Sequence, residues 1–175
     1  TYAQLAQRVG ALAGSLEERG IGRGDRIGIL LHNNIEFIEI VVAIARVGAV
    51  FVPLNYLLTP AEIADQAHDA KLRAVFTESS LLAKLPVGDL WTIGIDDLGG
   101  NADTVDGLIA TGTGKEIRES RAAGDDLLLL QYTSGTTGRP KAVAHTHNTI
   151  LWNAAHQIPD LGISRDDVYL CIPAL

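Results

Sequence analysis

The chain has 175 residues, 47% of them hydrophobic, which is enough for one filled core and a small further subdomain. Its formal net charge of −7 argues against general binding to nucleic acid or to anionic membranes. No signal peptide is visible and no apolar run approaches the ~20 residues that a spanning helix needs, so stable membrane insertion is not expected.

A single cysteine, Cys171, excludes an intramolecular disulfide and fits a reducing, cytoplasmic setting. It sits in the apolar run Val168 to Ile172 and reads as a small core residue rather than a nucleophile. Methionine is absent, and Cys171 to Leu175 form an apolar, uncapped end, so the chain reads as an excerpt of a longer protein.

Thr1-x-x-Gln4 is a capping box, followed by Tyr2, Leu5, Ala6, Val9, Leu12, Ala13 and Leu16 at helical spacing. Gly20 ends that helix as a left-handed cap, with Ile21 packing back. Ile27 to Leu31 is a short apolar run suited to a strand buried on both faces, as in a parallel sheet. Asn33 or Asn34 caps a helix that runs to Arg46 and stops at Gly48, and Ala49 to Leu54 is the next strand.

Thr59-Pro60-Ala61-Glu62 combines a cap, a proline in the first turn and a reciprocal glutamate, which predicts a helix to about Ala70. Ala74 to Thr77 reads as a strand, Ser79 to Leu85 as a short helix, Leu90 to Asp96 as a strand and Thr104 to Ala110 as a helix. Strand and helix alternate throughout, which predicts an α/β fold with βαβ units, a parallel sheet and right-handed crossovers.

Leu127 to Leu130 leads into Tyr132-Thr133-Ser134-Gly135-Thr136-Thr137-Gly138-Arg139-Pro140-Lys141, and Ala142-Val143-Ala144 leads out. This is a polar loop between two apolar segments, read as strands. After it, Asn148 can cap a helix with Ile150, Leu151, Ala154, Ala155 and Ile158 on one side, and Val168 to Ile172 reads as a final strand. The loop's glycines let backbone N–H groups turn toward an anion, its hydroxyls can donate to phosphate oxygens, and Lys141 adds a mobile positive charge. No Asp or Glu occurs between Asp126 and Asp160, whereas Arg139, Lys141, His145, His147 and His156 do, so the local field favours an anion against the global balance. The spacing is not that of an NTPase P-loop, because Pro140 precedes Lys141 and Ala142 follows it.

Thr133 to Lys141 resembles, at every defining position, the phosphate-binding signature of the adenylate-forming (AMP-binding) enzymes: acyl-CoA synthetases, peptide-synthetase adenylation domains and luciferases. Thr146-His147-x-Thr149 is similar to that family's continuation, Thr1-Tyr2-x-x-Leu5 to its opening motif, and Gly48 to Asn55 to a core motif. Ile172-Pro173-Ala174-Leu175 resembles the lead-in to a later motif. Two positions depart: Ala142 stands where glycine is usual, and Tyr56 follows Asn55 where proline is common. The resemblance is most specific to acyl-CoA synthetases and spans nearly the whole chain. It implies the amino-terminal part of the family's large domain, a parallel βαβ sheet followed by a hairpin-like phosphate loop. Residues 1–111 then form a βαβ subdomain, 112–126 a linker, and 127–175 a phosphate-loop segment that begins a further subdomain.

The resemblance also implies a reaction. A carboxylate attacks the α-phosphate of ATP, pyrophosphate leaves, and a thiol of coenzyme A or a pantetheine carrier displaces AMP. Thr133, Ser134, Gly135, Thr136, Thr137 and Gly138 are then expected to hold the departing phosphates, and Lys141 to neutralise their charge, with Mg²⁺ beside it. Fatty acids are among the substrate classes such enzymes use. The family's adenine, ribose, acyl and metal ligands lie further along such chains, so the 175 residues are not expected to complete the reaction alone.

Other candidates have plainer explanations. Arg139 reads as a solvated charge, and the pair His145-x-His147 lacks a third ligand at metal-binding spacing. Asp96-Asp97 and Asp125-Asp126 suit turns and caps. Competing readings are a peptide-synthetase adenylation domain, an acyl-AMP ligase, a phosphotransferase or NTPase that forms ADP, and a non-catalytic α/β interaction module.

Overall fold

A computed structural model of the protein describes residues 1–86, 88, 90–133 and 140–168. In chain order the elements are α1 (Tyr2–Glu18), β1 (Arg26–Leu30), α2 (Ile35–Arg46), β2 (Val50–Pro53), α3 (Pro60–Asp69), β3 (Ala74–Thr77), a 3-10 turn (Leu82–Lys84), β4 (Trp91–Gly94), β5 (Asp103–Thr104), α4 (Val105–Gly112), β6 (Leu127–Thr133), β7 (Lys141–Thr146) and α5 (His147–Leu161). The seven strands form one sheet in the order β5-β4-β3-β1-β2-β6-β7. Every described pairing is parallel except β6 with β7. The fold is therefore α/β with a mostly parallel sheet that ends in a hairpin.

β1, β2 and β3 feed two cores, because successive side chains point to opposite faces. Ile27, Ile29, Ala74, Phe76 and Ile93 pack with α1, α2 and α4 on one face. Leu30, Val52, Leu54 and Val75 pack with Ile63 and Ala70 of the α3 segment on the other. Burial on both sides explains the unbroken apolar runs that marked the strands in sequence.

The helix ends follow the expected chemistry. Both capping boxes form, at Thr1 with Gln4 and at Thr59 with Glu62. After α1, Gly20 has φ +79° and the Ile21 N–H donates to the Leu16 carbonyl at 3.0 Å. After α2, Gly48 has φ +76° and the Ala49 N–H donates to the Ile44 carbonyl at 3.1 Å. Each is the paired closure that glycine makes without steric cost.

Several details differ from expectation. Thr146, not Asn148, caps α5, because its hydroxyl accepts from the Thr149 N–H at 3.1 Å. The Asn148 side chain instead donates to Asp125. A short strand, β5, precedes α4, and the helix expected over Ser79 to Leu85 tightens to one 3-10 turn. Ile150, Leu151 and Ile158 were expected on one side of α5, and that helix has no buried residue; Leu151 and Ile158 are exposed. Of the strand expected over Val168 to Ile172, only Val168 is described, and it is exposed and outside any strand; Cys171 lies outside the described residues.

Residues 113–126 carry no helix or strand, yet they are fastened to the body. Ile117 is buried in the first core, and the Arg121 N–H donates to the Arg46 carbonyl at 2.7 Å. A buried ion pair was not read from the sequence: Glu39 is 3% exposed and receives Arg8 Nε at 2.5 Å and Nη2 at 3.0 Å.

α4 lies against α1 with almost no gap. Ser15 Oγ donates to the Leu108 carbonyl at 2.5 Å, and a Cβ at Gly112 would sit 1.9 Å from the Ala11 carbonyl oxygen. That oxygen belongs to backbone and cannot rotate away. Gly112→Ala should therefore lower unfolding free energy by about 1–3 kcal/mol, read as a reduced urea midpoint with an unchanged slope.

Candidate functional site

The hairpin of β6 and β7 is built because two apolar stretches flank a polar turn, and β6 then enters the sheet beside β2. The parallel register places Phe51 opposite Leu129, and the antiparallel register runs from Leu127 with Thr146 to Thr133 with Lys141. Thr133 and Lys141 thus face each other where the loop leaves and returns. Thr133 Oγ1 donates to the Lys141 carbonyl at 3.4 Å, and both residues are exposed. Among the described residues the Lys141 ammonium has no hydrogen-bond or ion-pair partner. A hydroxyl and an unspent positive charge at one opening suit an anion. Ser134, Gly135, Thr136, Thr137, Gly138 and Arg139 lie outside the described residues.

The base of the hairpin is clamped. The His147 N–H donates to the Asp126 carbonyl at 3.1 Å, and the Asn148 N–H to the Gly124 carbonyl at 2.8 Å. The Asp126 carboxylate receives the Arg23 guanidinium and the Ala123 N–H, and these hold its pKa below the ordinary value. Asp125 accepts from Asn148 at 2.9 Å. Asp97 accepts from the Gly99 N–H at 2.8 Å. Asp96 accepts from the Ser79 hydroxyl and N–H, and the hydroxyl chiefly lowers its pKa. All four carboxylates are occupied in turns and clamps.

Among the described residues, two cavities adjoin the hairpin. One, of about 280 Å³, lies at the carboxyl ends of β1, β2 and β6, where ligands of open α/β sheets collect; Leu31, Phe37, Asn55, Tyr56 and Gln131 are among its lining. The other, of about 260 Å³, lies between α3 and the hairpin and is lined by Asp65, Gln66, His68, Asp69, Tyr132 and Pro140. The linear reading missed this second group. The window from 127 to 159 lacks acidic residues, but α3 brings two carboxylates to the loop's foot, a long-range contact that carries no local signal.

His145 pairs opposite Leu129 within the sheet. Among the described residues no group of three or more His, Cys, Asp or Glu side chains is placed to hold a metal ion. No described helix is long and apolar enough to cross a membrane.

A family model described as AMP-binding enzyme matches residues 1–175. The chain is 32% identical over 170 residues to feruloyl-CoA synthase of Amycolatopsis sp, covering 95% of this chain and 32% of that protein. It is 34% identical over 186 residues to 4-coumarate–CoA ligase 3 of Oryza sativa subsp. japonica, covering 98% of this chain and 32% of that protein. The chain thus spans about a third of the length of these curated relatives. Among solved structures it superposes on VinN with TM-score 0.85 at 33% identity, covering 99% of this chain and 44% of that one. It also superposes on o-succinylbenzoate CoA synthetase (MenE) of Bacillus subtilis, solved with an acyl-adenylate intermediate, with TM-score 0.80 at 28% identity, covering 99% of this chain and 34% of that one.

His147 opens α5 with its Nε2 buried and unpaired among the described residues. Burial pushes its pKa below 6.5, outweighing the pull of Asp126 in the other direction. A depressed histidine pKa means that the unfolded chain takes up the proton first, so stability falls as pH drops through about 6.5 toward the folded value. His147→Gln removes that titration. Denaturant melts of both proteins from pH 7.5 down to about 5.5 should show the variant gaining on the wild type as the pH falls.

Proposed function

The chain belongs to the AMP-binding enzyme family, and on that premise we propose that it carries the phosphate-holding part of an ATP-dependent carboxylate–CoA ligase. The observation that supports this most is the hairpin opening, where Thr133 faces Lys141, whose ammonium has no partner among the described residues.

In the proposed reaction a carboxylate oxygen forms a bond to the α-phosphorus of ATP while the bond to the pyrophosphate oxygen breaks. Acyl-adenylate and pyrophosphate are the products. A thiolate then attacks the acyl carbon and AMP leaves. Thr133, Ser134, Gly135, Thr136, Thr137 and Gly138 hold the β- and γ-phosphates so that the departing oxygen lies in line with the attacking one. Lys141 balances the charge that builds on the leaving diphosphate. Mg²⁺ bound with the nucleotide would supply a further neutralising charge. The loop's backbone N–H groups need the hairpin held firmly, which the clamp of residues 123–126 with 147–148 supplies.

The acceptor thiol is coenzyme A by likeness to the CoA ligases, with a pantetheine carrier as the alternative, because a polyketide synthase–nonribosomal peptide synthetase of Aspergillus flavipes is also a relative, at 29% identity. The carboxylate is an organic acid to be chosen from hydroxycinnamates, benzoates, fatty acids and amino acids. We further propose that residues 127–175 begin a second subdomain after 112–126, and that the 175 residues alone do not turn over.

Pyrophosphate release, measured with ATP and that carboxylate panel, tests these points. The full-length protein carrying these residues should release pyrophosphate and form AMP, and the isolated chain should not. Lys141→Ala in the full-length protein should reduce the rate by about 10²-fold or more. ADP as the product, or an unaffected Lys141→Ala, would remove the reading.

A further inference from the structure

Tyr132 immediately precedes the loop, and its phenol reaches a different element. The O–H donates to Asp69 Oδ2 at 2.6 Å, joining residues 63 positions apart. Asp69 is the last residue of α3, a helix fixed to the sheet by Ile63 and Ala67. The end of that helix is closed by bonds from the Lys71 N–H to the His68 carbonyl and from the Leu72 N–H to the Ala67 carbonyl, both at 3.0 Å. The acceptor therefore stands on a rigid support.

The donor does not. The sheet holds β6 through the pairing of Leu129 with Phe51, and Tyr132 lies three residues further toward the loop. There the hairpin is paired only with itself: Tyr132 opposite Ala142, and Thr133 opposite Lys141. Tyr132 is thus one step from both residues that flank the loop, and the phenol–carboxylate bond ties this projecting end to α3. A bond to a carboxylate is stronger than one between neutral groups. Burial and the neighbouring Asp69 push the phenol pKa up, so the donor keeps its proton through the neutral range.

We propose that Asp69 and Tyr132 are positioning residues that latch the loop to α3 and set how well it grips the nucleotide's diphosphate end. This rests on the reading of that loop as the phosphate site. Asn at position 69 retains an oxygen that accepts from the phenol; Ala does not.

Tyr132→Phe, Asp69→Ala and Asp69→Asn in the full-length protein carrying these residues test the latch by ATP–pyrophosphate exchange, thermal unfolding and amide exchange. Tyr132→Phe and Asp69→Ala should raise KM for ATP about tenfold, the size expected for one hydrogen bond to a charged group. KM for the carboxylate should move by less than about twofold, and Asp69→Asn should recover most of the loss. An unchanged KM for ATP overturns the latch. So does a loss spread evenly over both substrates in step with a lowered Tm, which marks a merely structural contact. If the wild type activates no carboxylate, the functional reading fails separately, and amide exchange alone judges the latch. Faster exchange at residues 131–133 and 141–143 in Tyr132→Phe supports it, and equal exchange overturns it.

Discussion

The pairing of β6 with β2, at Leu129 opposite Phe51, is the contact on which the rest depends. A two-stranded hairpin is at best marginally stable in water. This one has exposed residues along most of β7 and buries only Leu128 deeply in β6. It borrows its rigidity from a parallel sheet whose own strands are covered on both faces. Thr133 and Lys141 are thereby delivered to the carboxyl-end side of the sheet, near the residues that follow β1 and β2.

Electrostatics works at short range against the overall balance. The chain carries −7 formally, and exposed charges further apart than the screening length contribute little. What counts at the loop is the opposition of Thr133 and Lys141 and the disposition of nearby carboxylates. Asp125 and Asp126 are spent on Asn148, Arg23 and backbone N–H groups. Asp69 is spent on Tyr132. An acidic protein can in this way leave the Lys141 ammonium without a partner among the described residues, at the proposed anion site.

Much of the fold was legible because its determinants are local. Capping boxes at Thr1 and Thr59, glycine closures at Gly20 and Gly48, and apolar runs at Ile27 and Ala74 each act within a few residues. The α/β class followed from such signals, and the family from the resemblance carried by Thr133 to Lys141 and the flanking motifs. What escaped was non-local or a choice between near-equals. Thr146 and Asn148 are both good caps, and the tertiary bond from Asn148 to Asp125 decided between them. Glu39 looks like a helix-surface glutamate until Arg8 of α1 is placed over it. Lys71 adopts φ +53° without glycine's freedom, at the left-handed position that closes α3, where its N–H donates to the His68 carbonyl and the Leu72 N–H to the Ala67 carbonyl. At the proposed site, Thr133 and Lys141 belong to the motif, whereas Asp69 carries no local signal, since 63 residues separate it from Tyr132.

The assignment of the loop to the nucleotide's diphosphate end is tested most directly by soaking crystals of the full-length protein with a non-hydrolysable ATP analogue. The β- and γ-phosphates should lie within hydrogen-bonding reach of Thr133 and the Lys141 ammonium. Density for that triphosphate tail elsewhere, with Thr133 and Lys141 left to solvent, would contradict the assignment.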